Sequence, residues 1–323
     1  LFNDAVFMLF HKIIAFDHYR QKIDLICHVS AKEAETSYKK AEMTLESLAR
    51  LLMAKQYAPN PPLKLKRPLK AQFSKERYCE MVKKAKKYIY EGDIFQVVLS
   101  NRMEAPMTGS LFDTYRVLRT TNPSPYMFYF SGSDLEIAGA SPETLVRLEN
   151  QTVTTFPLAG TRKRGASEKE DAAIREELLS DEKERAEHNM LVDLGRNDLG
   201  KVSDIGTVNV EKYMSVETFS HVMHIGSQVS GRLRKDKDAL DVIDAVLPAG
   251  TLSGAPKFRA CEIIHELEGS QRGIYGGAIG YLDLTGNMDV CISIRLAYAK
   301  NGRGFVQSGA GIVADRDPGK ENE

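Results

Sequence analysis

The sequence predicts an α+β protein: antiparallel β-sheets forming a sandwich-like core, with helices on the outer faces. The clearest signal is the last 50 residues, where β-rich runs ("GGAIGYLDL", "MDVCISIRLAYA", "FVQSGAGIVA") are joined by the short turns "TGN" and "KNGRG". Connections this short allow only antiparallel pairing. A second signal is a set of long amphipathic stretches earlier in the chain. They do not recur in the regular strand-helix-strand order that a parallel sheet requires.

The elements follow in order. "AVFMLFHKIIAFD" and "KIDLICHV" are β-rich runs separated by "HYRQ", which reads as a hairpin. Residues 31–55 place Tyr38, Ala41, Leu45, Leu48 and Leu52 on one stripe of a helix. "YAPNPPLKLKRPLK" then gathers prolines and basic residues, the best internal boundary. It divides the chain into an N-terminal region, 1–60, a linker or edge crossing, 61–72, and a main domain, 73–323. A helix is expected from Phe73 to about Tyr90, ended by Gly92, followed by the strand "IFQVVLSNRMEA" and a helix near 110–120. "YMFYFSGSDLEIAGAS" and "TLVRLENQTVTTFPLAG" read as two hairpins, and 167–194 as a helical block.

The composition narrows the partners. Of 323 residues, 42% are hydrophobic, enough for a sizeable core, and Lys+Arg and Asp+Glu both number 44. With no net charge, no global field favours nucleic acid or an anionic membrane, and a small-molecule ligand is the better expectation. The four cysteines are scattered, no run is apolar enough to span a membrane and no signal peptide is visible, which points to a reducing cytoplasm. The chain opens without Met and enters a strand pattern at once, so it reads as a fragment, at its far end as well.

The chemistry begins in "DEKERAEHNMLVDLGRND". Glu187, Met190, Leu191 and Leu194 fall at helical spacing, so a glutamate shares the core-facing stripe, with Glu184 one turn earlier. A carboxylate placed inward needs a partner or a cation. "MDVCISIRLAYA", read as one strand, puts Arg295 on a face with Cys291 and Ser293: a fork seeking a carboxylate, or a solvent-facing edge. Gly309 and Gly311 either form a bulge or let backbone N–H groups approach a ligand. Thr161 stands in "AGTRKRG", a basic stretch that also reads as a solvated loop, and His221 and His224 in "HVMH" are candidates for proton work or satisfied core histidines. "GTLSGAPK" lacks the spacing of a phosphate loop. Together the signals describe carboxylates for a divalent cation, Mg²⁺ by preference, with an arginine and glycine N–H groups for an oxygen-rich anion.

"SPETLVRL", "PLAGTRKRG", "DEKERAEHNMLVDLGRNDLG", "VMHIGSQVSGRL", "LPAGTLSGAPK", "RGIYGGAIGYLDLTGNMDVCISIR" and "SGAGIVADRDP" resemble, in order, the signature blocks of the chorismate-utilising enzymes, most closely the anthranilate synthase large subunits. The resemblance implies a Mg²⁺-dependent lyase of tryptophan biosynthesis that turns chorismate and ammonia into anthranilate and pyruvate, the ammonia coming from glutamine through a partner amidotransferase. It implies Glu187 as a Mg²⁺ ligand, Glu184 as a nearby carboxylate and Glu321 as the first acid of a further metal block whose direct ligand would follow at position 324. A chain of these 323 residues alone, without that ligand, is therefore expected to bind Mg²⁺ poorly in the absence of substrate and to have little activity, and a longer one carrying the rest of that block to be active. Glu143 resembles the general acid and His224 the active-site histidine. Tyr275, Arg295, Gly309 and Gly311 resemble the carboxylate-binding residues, with Thr161 and Thr251 beside the ring.

Two positions separate relatives. Gln96 stands where isochorismate and salicylate synthases carry a lysine that activates water, and Ala159 where aminodeoxychorismate synthases commonly carry a nucleophilic lysine. Ammonia attack is therefore expected, with an aminodeoxychorismate synthase or a non-catalytic, amidotransferase-binding fragment as the alternatives. Asn122, Pro123, Ser124, Pro125, Tyr126 and Met127 resemble half of a tryptophan feedback site, and Gly195 stands where alanine is commoner.

Overall fold

A computed structural model describes residues 2–54, 57, 59–219 and 222–314. The chain divides into two compact units, Leu1–Asn60 and Pro61–Glu323. In the first, β1 (Lys12–Asp17) and β2 (Lys22–Cys27) form the expected hairpin, and α1 (Ala34–Met53) follows. Strand β1 starts later than its apolar run suggests, since Val6 to Phe10 are exposed and outside any strand. Ala41 is the buried residue of α1, whereas Tyr38 and Leu52, placed inward by periodicity, are exposed. Two six-residue strands make a sheet about 20 Å long and about 10 Å wide, short of the roughly 30 Å of the helix.

In the second unit, the proline-rich basic stretch supplies β3 (Lys64–Leu65) and β4 (Lys70–Ala71), both paired with β5 (Gln96–Thr108). Between them and β5, α2 (Lys75–Tyr90) starts where the Ser74 side chain accepts from Arg77 N. Then come α3 (Phe112–Thr121), β6 (Tyr126–Ser131), β7 (Leu135–Ser141), β8 (Thr144–Glu149), β9 (Thr152–Thr155) and β10 (Leu158–Lys163). The helical block is two helices, α4 (Glu168–Ser180) and α5 (Glu182–Gly200). They are divided at Asp181, whose carboxylate caps α5 by accepting from Lys183 N and Glu184 N. β11 (Asn209–Thr218), β12 (Val222–Arg232), α6 (Ala239–Val246), α7 (Gly250–Ser253), β13 (Gly254–Ala255), α8 (Lys257–Glu268), β14 (Ala278–Leu282), β15 (Met288–Ile292), β16 (Leu296–Lys300) and β17 (Arg303–Ile312) complete the unit.

Among the described residues these strands form two antiparallel sheets. One runs β10-β12-β9-β8-β15-β14 with β11 on β12, and the other runs β13-β5-β17-β16-β7-β6 with β3 and β4 on β5. Residues of α5 and α6, including Val192, Leu199, Val242 and Val246, bury one face of the first sheet against Val146, Val153 and Val290. Met81 and Val82 of α2 and Ile263 of α8 do the same for Leu99 and Ile312 of the second. Each such side chain is worth about 1.5–3 kcal/mol when fully buried.

The segment "MDVCISIRLAYA" is not one strand. It breaks at Ser293–Arg295, with Arg295 at φ 49°, so that β15 lies in the first sheet and β16 in the second. Strands β7 and β8 change sheets beside it through Pro142 and Glu143. Backbone pairing is carried around this double corner: Ala140 N donates to Arg295 O at 3.0 Å, Ile292 N to Glu143 O at 3.0 Å, and Ser141 Oγ to Ile292 O at 2.7 Å. Two corners held to one another fix the positions of Glu143 and Arg295.

Gly195 in α5 sits where an added Cβ would stand 3.1 Å from Thr155 Cγ2. Gly195→Ala gains about 1 kcal/mol of helix propensity and meets one side-chain methyl group. The expected change in thermal stability is within about 1 kcal/mol of zero, and a larger loss would show that Thr155, tied to Leu145 O at 2.9 Å, cannot yield.

Candidate active site

Glu143 is half-buried, and burial pushes its carboxyl up to about 7, against the opposing pulls of the Thr251 hydroxyl and the Arg295 guanidinium. Thr251 Oγ1 is itself buried and falls short of a full hydrogen bond. Arg295 carries its charge beside Glu143 without forming a salt bridge among the described residues, and its side chain is exposed. The sequence reading placed it on a strand face with Cys291 and Ser293. The structure corrects this, because the left-handed residue at the corner turns away from the strand.

Tyr275 is held over the same corner. Gly276 N donates to Ser293 O at 3.0 Å, Ser293 N to Gly277 O at 2.9 Å, and Ser293 Oγ to Ile274 O at 2.7 Å. Burial raises the Tyr275 hydroxyl to about 12, so it stays protonated and able to donate. An added Cβ at Gly309 would stand 2.7 Å from the Tyr275 oxygen, and one at Gly311 would stand 2.8 Å from Gln96 Nε2. Glycine at both positions is therefore what leaves room for these polar groups. Gln96 is buried, and its Oε1 finds no partner among the described residues, an orphaned acceptor of the kind a ligand satisfies.

His224 lies on β12 opposite Thr161 of β10. Its Nδ1 is 3.1 Å from Thr161 Oγ1 and 3.0 Å from Gly160 O, and its ring packs edge-on against Phe219 at 5.5 Å. Burial, with Arg295 nearby, lowers its pKa despite the Gly160 carbonyl, favouring a neutral imidazole. His221 and Glu321 lie outside the described residues.

Glu184 and Glu187 are half-buried on successive turns of α5, and Glu184 Oε2 faces Gly160, the residue whose carbonyl meets His224. Among the described residues no group of three or more His, Cys, Asp or Glu side chains is placed to enclose a metal. Two carboxylates nevertheless suit Mg²⁺, which commonly takes one or two of them and fills its shell with water and substrate oxygens. The pair fits that cation in its donor chemistry.

Asn122 to Pro125 join α3 to β6, which Tyr126 and Met127 begin, and Tyr126 is engaged through its hydroxyl with Thr144 Oγ1 at 2.7 Å and Asp289 Oδ1 at 2.8 Å. A small cavity of about 50 Å³ lies between α5 and the corner, lined by Glu143, Thr251, Leu194 and Asp198 among others, with room for about three waters. A larger recess of about 310 Å³, at the β8–β9 turn, includes none of the candidate residues. What the structure brings together is Glu143, Thr251 and Arg295, with His224 within the electrostatic reach of Arg295.

Sequence reasoning missed the supports around it. Lys257 of "GAPK" is buried and donates to Asp198 Oδ2 at 2.6 Å and Val246 O at 2.9 Å, while Lys201 takes Asp198 Oδ1 at 3.0 Å. The amine that gave "GTLSGAPK" its phosphate-loop look is thus committed to a carboxylate. Arg272 donates twice to Glu268, whose Oε1 also accepts from Ser100 N at 2.8 Å. Their spacing of four was the one available signal. Arg162 had none beyond the basic run around it.

A half-buried acid near neutrality and an arginine with no salt bridge among the described residues, set where two antiparallel sheets turn into one another, with a carboxylate pair on α5 and an orphaned amide on β5, form a candidate site suited to a small anion bearing carboxylates. The chain belongs to the chorismate binding enzyme family, whose profile it matches over residues 1–323. It is 49% identical over 325 residues to anthranilate synthase component 1 of Acetivibrio thermocellus and 48% over 327 residues to that of Aquifex aeolicus, covering 98% and 99% of itself. It spans 66% of the length of each relative, just under two-thirds. The crystal structure of anthranilate synthase component I from Streptococcus pneumoniae TIGR4 superposes with a TM-score of 0.85 at 46% identity, covering 97% of this chain and 69% of that one.

Proposed function

We propose that this chain carries the catalytic site of an anthranilate synthase component 1: chorismate and ammonia are converted to anthranilate, pyruvate and water. The carrying observation is Glu143, an acid raised to about 7 and facing Arg295 at the sheet corner. Glu143 gives its proton to the departing C4 hydroxyl as ammonia forms the bond to C2, leaving an aminodeoxyisochorismate. His224, neutral and steadied by Gly160 O and Thr161, moves the proton that accompanies pyruvate loss. Arg295, Tyr275 and the N–H groups near Gly309 and Gly311 hold the carboxylates, and Thr161 and Thr251 flank the ring. Glu187 and Glu184, with Glu321, would hold Mg²⁺, which when bound neutralises a substrate carboxylate.

Ammonia reaches the site from glutamine through a partner amidotransferase, in the cytoplasm and within tryptophan biosynthesis, and tryptophan inhibits through Asn122–Met127. The component number in the relatives' names supports the partner, and no helix of the described residues is long and apolar enough to cross a membrane. Gln96, neutral and against Gly311, supports ammonia over water as nucleophile, and buried Ala159 speaks against a lysine-linked aminodeoxychorismate route. Gln96→Lys should yield a minor isochorismate-type product by chromatography. If the wild type forms isochorismate in amine-free buffer, the choice of nucleophile is wrong. Mg²⁺-dependent anthranilate fluorescence from chorismate and ammonium tests the whole reading, and a folded protein that forms no anthranilate and yet binds an amidotransferase would replace it with the non-catalytic alternative.

A further inference from the structure

The basic run "TRKRG", which reads as a solvated loop, contains the most fully used side chain beside the carboxylate pair. Arg162 sits at the end of β10 directly after Thr161. Its Nε donates to Glu177 Oε1 at 3.1 Å, its Nη1 to Thr161 O and to Glu184 Oε1, each at 3.1 Å, and its Nη2 to Asp181 Oδ2 at 2.9 Å. One guanidinium thus ties the end of α4, the cap of α5 and the first carboxylate of the pair to the strand carrying Thr161. Arg164, two residues on, supports the same strand: it donates to Asp171 and to Phe219 O, and Phe219 packs on His224.

We propose that Arg162 is an internal counter-ion for the carboxylate pair, a positioning residue that occupies one oxygen of Glu184 and thereby sets how tightly a divalent cation is held. This rests on the reading of Glu184 and Glu187 as the cation's carboxylates. Glu184 presents Oε1 to Arg162 while Oε2 faces Gly160, so the guanidinium fixes which oxygen is offered inward. The same charge opposes a cation arriving nearby and shares the carboxylate with it. Arg162 therefore trades cation affinity for a fixed Glu184, and substrate oxygens supply the remaining hold. A lysine can replace the charge, but it cannot reach four acceptors with a planar fork.

The test is Mn²⁺ binding by electron paramagnetic resonance, on the folded chain without chorismate, beside steady-state kinetics. Arg162→Gln should bind Mn²⁺ about two- to fivefold more tightly, the size of one partly exposed ion pair, while kcat falls because Glu184 is no longer held. Arg162→Lys should keep wild-type Mn²⁺ affinity and lose kcat. In a Glu184→Gln background, Arg162→Gln should tighten Mn²⁺ binding by less than it does alone, because the shared carboxylate is gone and only the charge acting through space is relieved. Unchanged or weaker Mn²⁺ binding by folded Arg162→Gln overturns the proposal. If that variant does not fold, tighter binding by Arg162→Lys overturns it equally. Glu187→Gln separates the two readings: if it leaves Mn²⁺ affinity intact, the cation site itself is misplaced, whatever Arg162 does.

Discussion

Glu143→Gln lowers turnover of chorismate by about 10² or more, because general acid catalysis is worth roughly 10² to 10⁴ and the amide keeps the shape of the side chain without its acidic proton. The pH dependence gives a second reading. A general acid must be protonated, and with Glu143 raised to about 7 the wild-type kcat/KM should fall as pH rises through that value, a limb the variant lacks. Stability moves in the same window. An acid raised from 4.5 to about 7 on folding contributes stability that is fully present below 4.5 and is lost as pH rises through about 7. Glu143→Gln should therefore gain on the wild type in thermal denaturation between about pH 5 and pH 8, by at most about 3 kcal/mol at about 1.4 kcal/mol per pKa unit. Near-normal turnover with an unchanged pH profile would make Glu143 a structural residue.

Arg295→Gly should separate binding from folding. Arg295 holds φ 49°, which costs a residue with a Cβ about 1–2 kcal/mol and glycine almost nothing. The gain in the folded state is offset by glycine's greater freedom when unfolded, about 0.4–1 kcal/mol, so Tm should stay level or rise slightly. The lost charge-assisted hydrogen bonds to a substrate carboxylate, about 1.5–3 kcal/mol, should raise KM for chorismate by roughly 10- to 100-fold. Arg295→Ala should match it in KM while keeping the backbone cost. A collapse in Tm with unchanged KM in the surviving protein would mean that the arginine serves the corner and not the ligand.

The same residue marks where sequence reasoning ran out. "VCISIRLAYA" is β-branched and apolar with no Gly or Pro, so nothing local announces a corner, and alternation places Arg295 on a face it does not share. The α1 stripe fails for a related reason: periodicity says which residues of a helix can be buried together, but the cover available in a two-stranded sheet decides how many are. By contrast, Glu184 and Glu187 were legible as a pair on one helical stripe because helical spacing is short-range geometry, whereas the break at Asp181, whose carboxylate caps α5, went unread inside one helical block.

The sequence by itself determined the α+β class, the antiparallel hairpins, the presence of the long helices and, through its ordered motifs, the family. All of these depend on residues a few positions apart, where spacing, turn length and side-chain type set the backbone. Only the tertiary structure decided that β7–β8 and β15–β16 change sheets side by side, that Glu143, Arg295 and His224 thereby share a field, that Glu143 titrates near 7, and that Arg162 takes Glu184 as its partner. Burial and charge act through space, between groups separated by up to about 150 residues of chain, and their strength is set by the packing that brings those groups together.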